Sequence, residues 1–129
     1  MSELKELAAE AKHELLTHII PFWRGMRDDK FGGYYGYLSY DLALDEKAEK
    51  GCILNSRITW FFANAYLLYK DGGISEEECE AAGFKGEDLL AEAKHGYEFL
   101  REHCIDKEYG GIFWSLNYDG TPLDTTKHT

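Results

Sequence analysis

The sequence predicts a mainly α-helical protein: part of an (α/α) barrel, about one and a half helical pairs, with short β-hairpins between the helices. Three observations carry this reading. The stretch Asp28–Asp41, DDKFGGYYGYLSYD, recurs 78 positions later as Asp106–Asp119, DKEYGGIFWSLNYD. Asp28, Gly32, Gly33, Leu38, Tyr40 and Asp41 reappear as Asp106, Gly110, Gly111, Leu116, Tyr118 and Asp119, and an internal repeat implies a stacked or ring-like architecture. Helices with one apolar face alternate with a helix apolar all round, as two concentric helical rings require. A turn-and-strand signal precedes the inner helix position in each copy, which favours a barrel over an open solenoid.

The elements follow in order. Residues 3 to about 23 carry Leu4, Leu7, Ala8, Ala11, Leu15, Ile19 and Phe22 at helical spacing, with Lys5, Glu6, Glu10, Lys12 and Glu14 opposite. Pro21 is expected to bend or close this helix. After the Gly32-Gly33 turn, YYGYLSY reads as a strand over 34–40, residues 41–51 as a loop, and Cys52-Ile53-Leu54 as a returning strand. Asn55 is a good N-cap and Gly72-Gly73 a good stop, so the apolar run between them reads as a helix buried on every side. Ser75 with Glu78 forms a capping box for a short acidic helix closed by Gly83. Residues 87–104 are again amphipathic, with Leu89, Leu90, Ala93, Tyr97, Leu100 and Cys104 on one face. The second copy supplies turn and strand, and 121–129 trails off as a loop. Residues 1–129 are thus read as one incomplete (α/α) barrel domain.

A net charge of −10 argues against nucleic acid and against anionic membrane surfaces, both of which need clustered Lys and Arg. No apolar run approaches the roughly 18 residues of a membrane span. The opening MSELKELAAEAKHELL is charged and amphipathic, unlike a signal peptide. Cys52, Cys79 and Cys104 are odd in number and lack CxxC spacing, which suits reduced thiols, a cytoplasmic location and no metal site. The 15% aromatic content fills a core or lines a sugar cleft, where flat rings stack on pyranose faces.

Arg57 is the most informative side chain. Read in the first turn of the inner helix, it stands where the helix dipole disfavours a cation and therefore needs a partner. Two readings fit: a salt bridge to Asp41 or Asp45, or a fork of donors aimed at the oxygens of a ligand. Asn55 is a cap or a ligand contact; Trp60 and Trp114 are core residues or sugar platforms. Tyr34, Tyr37, Tyr40 and Tyr118 each offer a hydroxyl. His13, His18, His95 and His103 lack metal spacing and read as surface or packing residues. No Ser-His-Asp set, P-loop or GxGxxG is present.

At LNSRITWFFANAY the sequence resembles the N-acylglucosamine 2-epimerase family, in its cellobiose-epimerising group. IIPFWRGMRDDKFGGYYGYLSYDL, KGCILNSRITWFF, FLREHCIDKEYGGIFWS and DTTKHT carry the likeness along nearly the whole chain. The resemblance implies an (α/α)6 barrel longer than this chain, which interconverts aldoses at C2 without metal or organic cofactor. It implies ring opening, removal of the C2 proton by one histidine, an enediolate, and return of the proton by a second histidine. It places Arg57 on the family's active-site arginine, and the two histidines on later inner helices. Asn55, Trp60, Trp114 and Tyr37 are the expected substrate contacts, and the expected partner is a small sugar. Other readings are an inactive carbohydrate-binding or assembly module, associating through exposed apolar helix faces, and an (α/α)6 glycoside hydrolase, which needs paired carboxylates.

Overall fold

The computed structural model describes residues 2–128. The chain opens with one continuous helical rod: α1 (Ser2–Glu14), a π-helical turn (Leu15–Ile19) and α2 (Ile20–Gly25). Pro21 does not close it. In the turn just ahead, Ile20 N–H donates to Leu15 O, five residues back. This widening eases the clash between a helical proline ring and the carbonyl four residues earlier. The extra residue also rotates the rod. Leu16 and Ile20 enter the core, while the predicted contact residues Ile19 and Phe22 stay exposed. Leu4 and Leu7 are exposed too, since α1 buries none of its residues.

Neither strand expected around the first copy forms as predicted. Residues 34–40 contribute only isolated bridges, Arg27 with Tyr34 and Leu38 with Leu44. The two-residue β1 (Lys50–Gly51) runs straight into α3 (Cys52–Lys70), so Cys52-Ile53-Leu54 is helical. The reason lies far away in sequence. Trp114 O accepts Cys52 N–H at 3.1 Å, which satisfies an end group of α3 from outside the helix. Asn55 is therefore inside α3 rather than its N-cap. Fully buried, it accepts Tyr34 N–H at 2.9 Å through Oδ1 and donates to Gly51 O at 3.0 Å through Nδ2.

The capping box forms as read: Ser75 Oγ accepts Glu78 N–H and Glu78 Oε1 accepts Ser75 N–H, opening α4 (Glu76–Ala81). Then come α5 (Gly86–Phe99), a second π-helical turn (Leu100–Cys104), β2 (Ser115–Leu116) and β3 (Pro122–Asp124). β3 falls in the stretch read as a trailing loop, because Asn117 N–H to Thr121 O, at 2.8 Å, reverses the chain. The antiparallel sheet has the order β1-β2-β3, with Lys50 opposite Leu116 and Gly51 opposite Ser115. Of the two sequence-similar segments only the second lies in this sheet, through β2; β1 comes nine residues after the end of the first.

The backbones of both segments close the same hydrogen bonds. Asp28 N–H donates to Gly33 O and Asp106 N–H to Gly111 O, both at 3.0 Å. Asp28 Oδ1 accepts Lys30 and Phe31 N–H; Asp106 Oδ1 accepts Glu108 and Tyr109 N–H. Each second carboxylate oxygen binds a lysine at 2.6 Å, Lys50 in one copy and Lys127 in the other. Only the first pair is buried, Lys50 at 0% and Asp28 at 1% exposure.

The main core forms where α3 packs on α5 and on Ile20 of the first rod. Phe62, Ile58, Tyr34, Ile74 and Leu89 are at its centre. One face of α5 clamps the first turn: Glu92 Oε2 accepts the Tyr34 hydroxyl at 2.7 Å, His95 Nε2–H donates to Gly33 O at 2.8 Å, and Phe99 lies on the glycines. Gly33 has φ +68, and a side chain there would collide with both Phe99 and Asn55. Glu92 also faces Arg24 and Arg27, at 3.5 and 3.4 Å. Burial first, and then the Glu92 carboxylate, hold the Tyr34 phenol far above its ordinary value, so it remains a donor.

The first predictions concern the groups that hold this arrangement. Burial by itself would raise the Asp28 carboxyl, but the Lys50 ammonium and the Phe31 and Lys30 N–H groups outweigh it and hold the group below the ordinary carboxylate range. Its contribution to stability is therefore present above about pH 4 and is lost as pH falls through the lower folded value. Asp28→Asn, which strands the Lys50 charge, costs roughly 3–5 kcal/mol at neutral pH and flattens that acid limb. Urea unfolding across pH measures both, and an unaltered acid limb would exclude the pair as its source. Asn55→Ala leaves the buried Tyr34 N–H without its acceptor, for a loss of about 1–3 kcal/mol. The exposed Trp60→Ala stays within about 0.5 kcal/mol of wild type; equal losses in denaturant melts would contradict the assigned faces of α3.

Candidate functional site

The expectation that α3 is buried on every side is not met. Cys52, Asn55, Ile58, Phe62 and Ala65 turn inward, whereas Ile53, Arg57, Trp60, Asn64 and Leu67 form an exposed stripe along the opposite face. Apolar periodicity reports what a helix is able to bury, not which neighbours reach it. α5 and the first rod cover one side, and no element among the described residues covers the other.

Arg57 stands on this open face. Because α3 starts at Cys52, it sits in the second turn, beyond the strongest part of the helix dipole. Its side chain is exposed and forms no salt bridge among the described residues. The two proposed partners are engaged elsewhere: Asp41 accepts the Ser39 hydroxyl and Asp45 accepts Lys47 N–H. The salt-bridge reading is therefore not realised. Instead Arg57 borders a hollow walled by Trp23, Leu54, Ile58 and Phe61. Trp23 and Phe61 were missed as site residues from the sequence. Trp23 read as the end of an amphipathic helix and Phe61 as core; the π-helical turn, which sets how Trp23 faces α3, leaves no sequence signal.

The other candidates are placed unequally. Trp60 is 69% exposed, on the same face of α3 and three residues beyond Arg57. Trp114 is joined to the start of α3 through its carbonyl, and its half-exposed ring rests against His128, with centroids 4.5 Å apart. Tyr37 is exposed in the first loop and makes no hydrogen bond or ring contact with the other four. Asn55 presents no surface; its amide ties the first turn to the helix that carries Arg57.

Chemically, the hollow pairs a planar cation, with several N–H donors open to solvent, with aromatic and aliphatic walls. That suits a neutral ligand rich in oxygens. Neither a carboxylate nor a histidine lines it, so it binds and polarises without moving a proton. Among the described residues no group of His, Cys, Asp and Glu is arranged to hold a metal ion. Nor is any helix among the described residues long and apolar enough to cross a membrane.

No protein-family model matches the chain. The cellobiose 2-epimerase of Ruminococcus albus is 50% identical over 123 residues, which is 95% of this chain and 28% of that protein. Among solved structures, a sugar epimerase from a ruminal bacterium superposes with a TM-score of 0.80 at 49% identity, over 95% of this chain and 28% of the other. Cellobiose 2-epimerase from Bacillus thermoamylovorans B4167 gives 0.82 at 38% identity, over 96% and 28%. The chain thus spans a little over a quarter of the length of the relatives it matches. By sequence and by fold together, it is similar to one portion of the (α/α)6 barrel of cellobiose 2-epimerases.

Proposed function

We propose that this chain is the N-terminal portion of a sugar 2-epimerase that interconverts glucose and mannose at the reducing end of β-1,4-linked disaccharides such as cellobiose. One observation carries the assignment: about half of the residues match a cellobiose 2-epimerase along 95% of the chain. The open, unpaired Arg57 among aromatic walls is the feature that gives it a mechanism. In this reading residues 1–129 form an incomplete (α/α) barrel domain built on the 28–41 and 106–119 repeat. The sugar ring opens, a histidine removes the C2 proton, and a second histidine returns it to the other face of the enediolate. Histidine suits both steps because its ordinary pKa lies near neutrality. Arg57 donates to the oxygens on which negative charge develops. Trp60 and Trp114 supply stacking surface and Tyr37 a hydroxyl, while Asn55 positions the helix instead of touching sugar. The hollow has no acid or base of its own, so the histidine pair comes from the rest of the barrel.

The partner in this reading is a small neutral sugar; the charge of −10 speaks against nucleic acid and anionic membrane surfaces. Three free thiols support a cytoplasmic location. Exposed Leu4, Phe22, Trp60 and Ile112 make association between copies part of the same reading.

Two experiments test the assignment. The chain alone, incubated with cellobiose in D2O, shows no deuterium at C2 by NMR; incorporation would place a working proton-transfer pair within these residues. Grafted in place of the matching portion of the Ruminococcus albus enzyme, the chain restores epimerisation of cellobiose, and Arg57→Lys in that chimera lowers turnover by about 10²-fold or more. Near-normal turnover of the variant would remove Arg57 from the chemistry.

A further inference from the structure

Two of the three cysteines meet inside the fold. Cys52 opens α3 and Cys104 ends the second π-helical turn, yet both are buried in one cluster with Phe99 and Leu116, flanked by Leu100 and Phe113. A single short segment holds both in place. Cys104 O accepts Phe113 N–H at 2.9 Å, and Trp114 O accepts Cys52 N–H at 3.1 Å. On either side of these bonds Ile112 pairs with Ile105 and Ser115 with Gly51. The side chains complete the contact: the Cys104 thiol donates to Cys52 Sγ. A disulfide closes without backbone movement only between side chains that already converge, and a thiol–thiol hydrogen bond requires that convergence.

The two sulfurs are not equivalent. The bond from Cys104 holds the Cys52 thiol below its ordinary value, against the opposing effect of burial. Cys52 also stands in the first turn of a helix of 19 residues, where the dipole favours an anion. The same bond, and then burial, hold the Cys104 thiol well above its ordinary value, so it keeps its proton. Cys52 is thus the nucleophile and Cys104 the donor beside it. Cys79 lies in the other core cluster, where burial, followed by the Glu76, Glu78 and Glu80 carboxylates, raises its thiol.

We propose that Cys52 and Cys104 close a reversible disulfide within the chain when it meets hydrogen peroxide. The Cys52 sulfur attacks one peroxide oxygen and the O–O bond breaks. The departing hydroxide takes the proton that Cys52 had released and becomes water, leaving a sulfenic acid on Cys52. The Cys104 sulfur then attacks the Cys52 sulfur; the S–O bond breaks, and hydroxide leaves with the Cys104 proton as a second water. The two thiols together give two electrons and two protons to one peroxide. A dithiol reductant reverses the bond by exchange. Burial sets the rate: the oxidant reaches Cys52 only while the two-residue strands β1 and β2 part, so the reaction follows local opening. Once closed, the bond ties the start of the helix that carries Arg57 to the end of the second π-helical turn, in the places they already hold. It does not depend on the epimerase reading.

Peroxide treatment of the native chain, followed by denaturation, alkylation of the remaining thiols and peptide mapping, tests this. The expected product is a monomer that has lost two hydrogens, with Cys52 linked to Cys104 and Cys79 alkylated; dithiothreitol restores all three thiols. Cys104→Ser is expected to stop at a Cys52 sulfenic acid that dimedone captures, and Cys52→Ser to leave Cys104 unreacted at the same dose. If circular dichroism shows either variant unfolded, the map of the unsubstituted chain decides alone. The oxidised chain is expected to unfold at a higher urea concentration than the reduced one. Links through Cys79, disulfides between copies, or three alkylated thiols at a dose that fully oxidises the denatured chain would each overturn the proposal. So would an oxidised chain that unfolds at lower urea, because the bond would then form only by distorting the cluster.

Discussion

A buried lysine holds the end of the outer helix and the start of the inner one together. Lys50 Nζ bonds Asp28 at 2.6 Å and Gly32 O at 2.7 Å, and it lies over the Tyr35 and Phe99 rings. Taking an ammonium and a carboxylate out of water costs several kcal/mol per ion unless the remaining donors and acceptors are met. Here they are: the other Asp28 oxygen accepts two backbone N–H groups. Such a pair adds little net stability over apolar residues of equal volume, but it tolerates few alternative placements. Asp28 lies three residues beyond the end of the first rod, and Lys50 begins β1, two residues before the start of α3. The pair therefore ties the segment that leaves the outer helix to the segment that enters the inner one.

The candidate site inherits its geometry from that arrangement. Once α3 starts at Cys52, its three-to-four residue period turns Asn55, Ile58 and Phe62 inward and leaves Arg57 and Trp60 outward. The chain is strongly acidic, yet several of its carboxylates already have partners away from Arg57. Asp28 is held by Lys50, Asp41 by Ser39, Asp45 by a backbone N–H, and Glu92 by Tyr34 and two arginines. Arg57 is left with its donors directed outward beside Trp23 and Phe61, which is what recognition of a neutral, oxygen-rich ligand requires.

The repeat separates what local sequence encodes from what neighbours add. Both copies form the same aspartate-anchored turn with glycines at positive φ, because an Asp followed four and five residues later by Gly-Gly closes it with its own atoms. Burial differs completely between them. Asp28 and Lys50 are sealed under α5, while Lys127, in the equivalent role, remains exposed. A further contrast is conformational: Leu42 holds φ 64 at the position where the second copy has Gly120. A leucine there is strained, and nothing in the repeat comparison by itself foretold which copy carries the strain.

By itself the sequence determined the elements whose determinants lie close together along the chain. These are the Ser75–Glu78 capping box, the two Gly-Gly turns, the amphipathic run that becomes α5, and the apolar run that becomes α3. It also singled out Arg57, whose charge amid apolar residues is a local anomaly. Only the tertiary structure decided the rest. The start of α3 depends on Trp114 O and Tyr34 N–H, groups remote in sequence that satisfy Cys52 and Asn55. The rotation of the first rod depends on a π-helical turn that accommodates Pro21 and brings Leu16 and Ile20 to the core. The open face of α3, and with it the freedom of Arg57, depends on which neighbours reach the helix. A pattern of apolar residues states only that a surface is able to be buried; whether it is buried is settled by what packs against it.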